Sequence, residues 1–488
     1  MMRNGVKFTI AALVLSLPLA LLPMLGEDRG ARAASDEEQV YEQLDLLMRV
    51  FQRIRSEYVD DVNDREVIEA AIQGMLKSLD PHSTYMNKDV YKQVRVQMEG
   101  EYGGLGIEVQ MEEGLVKVVS PIDDTPADKA GIKGGDLITH IDDEPVMGQT
   151  LTEAVRKMRG PVGDPINITV VREGVEKAFD VEIVRDNIRV RSVRHRVEED
   201  SVGYIRITTF NMQTGEGVEQ AISELKEELG AGLDGVVLDL RNNPGGLLNE
   251  AIRVSDAFLD RGEIVSTRGR RDQNNNRWYA TAGDLLDGLP VVVLVNAYSA
   301  SASEIVAGAL QDHRRAVVIG DRTFGKGTVQ SEIRLGREGD KAIRLTTARY
   351  YTPSGQSIQE WGVEPDIEVL FPGQKANRIK PRREADLRGH ITNEESRPDR
   401  AGEYDTPART KTGPEDAADA PANDDDGARD DGARKDGGDD EAPNPSGAPG
   451  QDENRVDVQL RHAVHLLKKM NSLPEAQVAE AARANEGE

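Results

Sequence analysis

A multidomain α+β chain built round an α/β body is the fold class the sequence predicts, and three observations carry it. Apolar runs suited to strands fall at 202–207, 236–240, 291–295, 317–319 and 343–347, with helical stretches near 217–229 and 247–258 between them. Strands alternating with helices argue for a sheet covered by helices. Upstream, Val40, Leu44, Leu47, Phe51, Ile54 and Tyr58 recur every three or four residues, the seam of an amphipathic helix. Downstream, Asp, Gly, Ala and Pro dominate from about 401 to 450, with too few apolar residues to offset the entropy of ordering.

In chain order, residues 1–36 have the pattern of an export signal or signal anchor. Arg3 and Lys7 precede an apolar run over 8–25, and Ala31-Arg32-Ala33 is a small-x-small cleavage site. The segment places the chain outside the cytoplasm, in the periplasm or cell envelope. Residues 37–100 are expected to form a helical arm, with a second helix at 67–79 ended by Asp80-Pro81. The arm is a candidate contact between copies of the chain, with packing on the rest of the protein as the alternative. Residues 187–372 are the α/β body, 373–455 an acidic, largely disordered linker, and 456–488 a short terminal helix with Val458, Leu460, Val464 and Leu467 at helical spacing.

Between arm and body, residues 101–186 differ in texture. Gly103-Gly-Leu-Gly-Ile107 is followed by a strand at 115–119, Pro126-Ala-Asp-Lys-Ala-Gly131 and Gly134-Gly-Asp-Leu-Ile-Thr-His-Ile141. A helix over Leu151–Met158 and a strand at 166–172 close the series. In this order the motifs resemble a PDZ domain. A glycine loop opening onto a strand presents free N–H groups to a peptide's terminal carboxylate, and the strand can pair with the peptide backbone.

Composition narrows the chemistry. With no cysteine in 488 residues, disulfides, thiolate metal sites and cysteine nucleophiles are excluded. The seven histidines show no metal-ligand spacing, so no metal is expected. The formal net charge is −26, of which −11 falls in residues 415–453. Nucleic acid is excluded as a partner, since phosphate binding needs clustered Lys and Arg.

Two stretches carry chemistry. Asn296-Ala-Tyr-Ser-Ala-Ser301-Ala-Ser-Glu-Ile305 follows an apolar strand and opens a helix rich in small residues. It sets a hydroxyl beside unpaired helix-start N–H groups that can hold an oxyanion. Gly325-Lys326-Gly327 lies 25 residues beyond Ser301. A buried lysine with a depressed pKa can serve as the base a serine requires. Ser299 and Ser303 flank Ser301, and each is open as nucleophile or helix cap. A third stretch, Val236-Val-Leu-Asp-Leu-Arg241-Asn-Asn-Pro-Gly-Gly246, runs from a buried strand into a glycine turn that allows close backbone approach. His82, after Pro81, reads as a structural histidine, and Asp239 and Arg241 as supports of the glycine turn.

Together these stretches resemble the carboxyl-terminal processing proteases, also called tail-specific proteases. The resemblance runs over residues 37–370. It takes in Leu79-Asp-Pro-His-Ser83, Tyr102-Gly-Gly-Leu-Gly-Ile107, Leu238-Asp-Leu-Arg-Asn-Asn-Pro-Gly-Gly246, Ser299-Ala-Ser-Ala-Ser-Glu304, Thr323-Phe-Gly-Lys-Gly-Thr-Val-Gln330 and Tyr350-Tyr-Thr-Pro-Ser-Gly355. It implies a crotonase- or Clp-protease-like core with an inserted PDZ domain. It also implies a cofactor-free serine endopeptidase that cleaves protein substrates near their carboxyl ends, after apolar or small residues, with an adaptor protein as a further partner. Ser301 resembles the nucleophile, Lys326 the general base and Gln330 the side chain that orients the lysine. The N–H groups of Ala302 and Gly246 resemble the oxyanion hole, with Gly245 as the alternative to Gly246. Leu105, Gly106 and Ile107 resemble the carboxylate-binding loop. The competing reading is a non-catalytic PDZ scaffold of the cell envelope.

Overall fold

The computed structural model describes residues 27–336, 339–370, 381–394 and 457–472. These residues form two compact units, one through Gly74 and one from Met75 onward. The export segment lies almost wholly outside them. No helix among the described residues is long and apolar enough to cross a membrane.

The first unit is helical. Helix α1 (Glu27–Glu57) begins upstream of the expected 37, and α2 (Asp64–Lys77) carries most of the second expected helix. Asp64 and Glu66 in the first turn of α2 and Lys77 in its last suit the helix dipole. On α1, Val40, Leu44 and Leu47 are exposed.

The second unit starts earlier than the expected domain boundary. Strand β1 (Thr84–Met86), helix α3 (Lys88–Glu99) and strand β2 (Glu101–Gly104) were expected to belong to the arm, yet Met86 and Tyr91 are buried with Ala342 of the body. The pairing of β1 is long-range, which local periodicity does not register. Asn87 caps α3 by accepting from Val90 N–H, and Gly100 at φ 69° ends it.

The PDZ-like module follows: β3 (Ile107–Glu112), β4 (Leu115–Pro121), α4 (Pro126–Lys129), β5 (Leu137–Ile141), β6 (Glu144–Pro145), α5 (Leu151–Met158), β7 (Pro165–Val171) and β8 (Phe179–Val184). Its sheet runs β3-β4-β5-β7-β8, which leaves β3 on an edge. Helix α5 is fixed by a capping box between Thr150 and Glu153. The chain enters through β2 and returns through β9 (Asp186–Arg189), which pair antiparallel as a two-stranded neck. The module is therefore an insertion into the body.

The body comprises β10 (Val193–Glu198), β11 (Val202–Ile207), α6 (Thr214–Leu229), β12 (Gly235–Asp239), α7 (Leu248–Asp256), β13 (Glu263–Gly269), β14 (Asn276–Tyr279), β15 (Val291–Val295), α8 (Ala302–Asp312), β16 (Ala316–Gly320), β17 (Thr328–Leu335), β18 (Lys341–Tyr351), β19 (Ile367–Glu368) and α9 (Val458–Ser472). One sheet runs β10-β11-β12-β15-β16-β19 and is parallel except for β10. Both faces of this sheet are covered, so β15 is apolar at every position and β12 is apolar from Val236 to Leu238. Val236, Leu238, Val291 and Val293 face α6, α7 and α8, while Val237, Val292 and Leu294 face α9. A second, antiparallel sheet, β1-β18-β13-β14 with β17 on β18, flanks it. Of its five strands β18 was expected from an apolar run, at 343–347.

A further departure concerns residues 373–455, expected to be a disordered linker. Within that range, 381–394 is folded onto the body: Arg383 Nη1 donates to the carbonyls of Arg322 and Thr323, both at 2.7 Å, and Glu384 is fully buried. Polar groups hold this strap, so a search for apolar runs passes over it. The remainder of the linker lies outside the described residues.

Candidate active site

Ser301 sits where β15 has ended and α8 begins, at φ 54° and ψ −112°. A β-carbon makes that backbone conformation costly, roughly 1–3 kcal/mol, so the surroundings must enforce it. They do so through hydrogen bonds. Ala300 N–H donates to the Asn243 carbonyl at 3.0 Å, and Ser301 N–H donates to Glu304 Oε2 at 2.7 Å. The hydroxyls of Ser299 and Ser303 donate to the carbonyls of Leu240 and Asn243 at 2.8 and 2.9 Å. Both flanking serines are thus fully buried in structural roles, tying the helix start to the glycine turn, while Ser301 remains 9% exposed.

The glycine turn lies directly against Ser301. A β-carbon on Gly245 (φ 100°) would meet Ser301 Cβ at 2.8 Å and Ala302 N at 3.0 Å, so only glycine allows this approach. Gly245 N–H donates to Asn243 Oδ1 at 2.9 Å and is already committed. Phe210 N–H donates to the Gly245 carbonyl and Leu247 N–H to the Phe210 carbonyl. Among the described residues the N–H groups of Gly246 and Ala302 have no such partner. Two unpaired donors therefore flank the serine, and Gly246 rather than Gly245 supplies one of them.

Glu304 joins this turn to the lysine loop. Its side chain is fully buried, and Oε1 accepts from Thr323 Oγ1 at 2.6 Å and Gly325 N–H at 2.7 Å. Oε2 accepts from Ser301 N–H and, at 2.9 Å, from Lys326 N–H. Burial pushes the carboxyl up to about 7, against the pull of those four donors. Sequence reasoning named Glu304 only inside a motif and gave it no role. The available signal was an acidic residue in the first turn of an otherwise apolar, small-residue helix.

Lys326 is half-buried, and desolvation holds its amine below the ordinary lysine range. The carboxylates of Glu384, Glu304 and Asp80 oppose that depression, and the neighbouring Arg344 cation adds to it. The amide of Gln330, on β17, donates to Thr328 Oγ1 at 2.9 Å and Thr346 Oγ1 at 3.4 Å. No hydrogen bond joins Lys326 to Ser301 or Gln330 in this structure. The loop is pinned from outside by the strap. Glu384 N–H donates to the Phe324 carbonyl at 3.1 Å, and its carboxylate pairs with His82 Nε2 at 2.8 Å and Gln359 Nε2 at 3.0 Å. His82 is thus a structural partner, as its sequence context suggests. Asp239 and Arg241 likewise brace the turn, with Arg241 N–H and Nε each 2.9 Å from Asp239 Oδ1.

In the PDZ-like module, Leu105 is buried and its carbonyl accepts from Ala127 N–H at 2.9 Å. Gly106, at φ 78°, packs so closely on Thr125 that a β-carbon would meet that side chain at 2.3 Å. Ile107 begins β3, whose outer edge has no strand beside it among the described residues.

A PDZ-like module threaded into a two-sheet body, with a strained serine, two amides without partners and a desolvated lysine, is an arrangement a serine peptidase can use. Comparison with known proteins agrees. Residues 201–369 match the model of peptidase family S41, residues 103–183 that of the PDZ domain, and residues 25–90 that of the activating protease CtpB N-terminal domain. The chain is 51% identical over 393 residues to a carboxy-terminal-processing protease of Bartonella bacilliformis, covering 80% of this chain and 88% of the relative. It is 36% identical to the carboxy-terminal processing protease CtpB of Bacillus subtilis, covering 70% of each. A solved photosystem II D1 C-terminal processing protease is 28% identical with a TM-score of 0.38, covering 67% of this chain and 92% of that one. The chain belongs to the carboxy-terminal-processing proteases of family S41 and is a serine endopeptidase with a PDZ domain. The scaffold reading is set aside.

Proposed function

We propose that Ser301 is the nucleophile and Lys326 its general base, acting on protein tails delivered by the PDZ domain. The observation that carries this reading is Glu304, whose one oxygen receives the backbone N–H groups of both residues at 2.7 and 2.9 Å. Separated in sequence, the two are held by a single buried atom. Ser301 Oγ attacks the scissile carbonyl carbon while its proton passes to the neutral Lys326 amine. The oxyanion is held by the N–H groups of Gly246 and Ala302. Collapse breaks the C–N bond, the leaving nitrogen takes the proton from Lys326, and the acyl-serine remains. Water then attacks the ester, Lys326 accepts its proton, and return of that proton to Ser301 Oγ frees the new carboxyl end. Gln330, with its amide N–H held by Thr328 and Thr346, keeps its oxygen for the lysine.

Capture of the tail falls to Leu105, Gly106 and Ile107. The open edge of β3 suits pairing with an extended peptide, and the turn at Gly106 suits its terminal carboxylate. The export segment supports work in the periplasm or cell envelope, and the exposed apolar stripe of α1 supports association of copies through the arm.

Incubation with an unstructured, tailed protein, followed by mass spectrometry, tests the reading. Fragments are expected from the wild type, with Ser301→Ala and Lys326→Ala each losing at least about 10⁴-fold in kcat at unchanged melting temperature. Turnover retained by purified Ser301→Ala would defeat it.

A further inference from the structure

The terminal helix α9 does more than cover a sheet face. Its buried residues Ala463, Val464 and Leu467 pack on Val237, Val292 and Leu294. Those positions belong to β12 and β15, the strands that lead into the glycine turn and the Ser301 turn. At the start of α9, Asp457 reaches Arg241, the residue that opens the glycine turn. Asp457 Oδ1 accepts from Arg241 Nη1 at 3.0 Å and Oδ2 from Nη2 at 2.8 Å, while Gln459 Oε1 accepts from Nη1 at 3.0 Å. The other side of the same guanidinium is bound by Asp239, at 2.9 Å from Nε and 2.6 Å from Nη2. Arg241 is 5% exposed and Asp239 fully buried.

The charges balance. Arg241 and Arg206, which lies 3.2 Å from Asp239, carry two positive charges, and Asp239 and Asp457 carry two negative ones. A buried cation is tolerated only when paired and hydrogen-bonded, so Asp457 completes a group that the remainder of the body leaves one carboxylate short. Asp457 also lies outside the residues 201–369 that match the peptidase family model.

We infer that Asp457 is a positioning residue for the reaction: by clamping Arg241, the terminal helix holds the glycine turn so that Gly246 N–H meets the oxyanion. This rests on the oxyanion assignment proposed above. From Arg241 the turn continues through Asn243, whose side chain accepts from Gly245 N–H and donates to the Ile207 carbonyl at 3.0 Å. Displacement at Arg241 is thereby passed to the amide beside Ser301. A misplaced donor costs rate and leaves ground-state binding intact, because the charge it serves exists only in the transition state.

The test uses the full chain with Asp457→Asn and Asp457→Glu, a short peptide substrate and a peptidyl boronic acid that forms a tetrahedral adduct on a serine. Asp457→Asn is expected to lower kcat by about 10- to 100-fold with KM within about twofold, and to weaken the boronate in step. Asp457→Glu should recover part of both. An Asp457→Asn enzyme with wild-type kcat and boronate affinity overturns the inference. So does faster turnover, which would mean that the uncompensated Arg241 charge, not the geometry, acts on the oxyanion. A loss that merely tracks the folded fraction overturns it too. Should Asp457→Asn not fold, Gln459→Met, which removes one neutral bond to Arg241, takes its place with an expected loss of about threefold to tenfold in kcat. Ser301→Ala separates the two readings: boronate affinity surviving that change refutes the site itself, whatever Asp457 does.

Discussion

In the PDZ domain, strand β3 lies at the rim of its sheet with one side of its backbone unpaired, and the turn before it is held open by Gly106. In the peptidase body, β12 and β15 have strands on both sides and side chains buried on both faces. The turns that follow them carry two amides, of Gly246 and Ala302, without a partner among the described residues. Under the proposed function, the contrast follows from what each region must hold. A peptide tail brings its own backbone donors and acceptors, so the receiving edge can stay solvated until it arrives. An oxyanion lasts only for the transition state, so its donors have to be fixed beforehand by bonds that never open. The body accordingly surrounds Ser301 with committed groups: Ser299, Ser303 and Asn243 bond backbone groups, and Glu304 accepts from three backbone N–H groups and the Thr323 hydroxyl.

That contrast breaks first, and hardest, at Glu304. In Glu304→Gln an amide NH₂ would replace one of two oxygens that each accept two donors. At least one buried donor then loses its acceptor, and kcat should fall about 100-fold, with stability lower by about 3 kcal/mol in denaturant titration. A fall below threefold in kcat would mean that Glu304 does not hold the serine and lysine loops together.

The pH dependence sharpens the same point. As the proposed base Lys326 must be neutral to act, and its amine is held below the usual lysine range, so protonation as pH falls removes it. Glu304 must be ionised to accept four donors, and with its carboxyl raised from 4.5 to about 7 it too is lost as pH falls. Both losses run in one direction, so log(kcat/KM) should climb from the acid side with a slope approaching about 2. Stability moves oppositely: the folded state holds the Glu304 proton more tightly than the unfolded state. Its contribution to stability is therefore full below 4.5 and declines as pH rises through about 7. A single-ionisation acid limb would remove Glu304 from the account.

Smaller effects belong to the recognition region. Gly106→Val forces a β-branched side chain into φ 78° against Thr125. It should raise KM about tenfold or more for a tailed protein and leave a short untailed peptide unaffected. Equal losses on both substrates would mean that the domain acts on catalysis rather than capture. Smallest of all, Thr150→Ala removes the capping box of α5 and should cost about 1 kcal/mol of PDZ stability in thermal melts, with peptide turnover unchanged.

The readings that local pattern supplied are those whose physics is local. The apolar runs at 236–238 and 291–295 announce strands buried on both faces, and Leu151–Met158 is bounded as expected because Thr150 and Glu153 form its cap within four residues. The glycines at 245 and 246 and the serine at a helix start could also be named from the chain, because positive φ and helix-end amides are properties of single turns. Glu304, Glu384 and Asp457 could not be assigned roles, since a buried carboxylate looks like a solvated one until its donors are known. Those donors come from residues as distant as His82 for Glu384 and Arg241 for Asp457. Strands β1, β13 and β14 escaped for the same reason, their pairing being long-range. By itself the sequence determined most elements of the parallel sheet, the export pattern and the family motifs in which Ser301 and Lys326 stand. Tertiary structure alone decided that Ser299 and Ser303 are tied to backbone carbonyls, that the Gly245 amide is committed, and that a terminal helix reaches the glycine turn beside Ser301. Hydrogen bonds between distant segments settle these matters, and no local pattern encodes them.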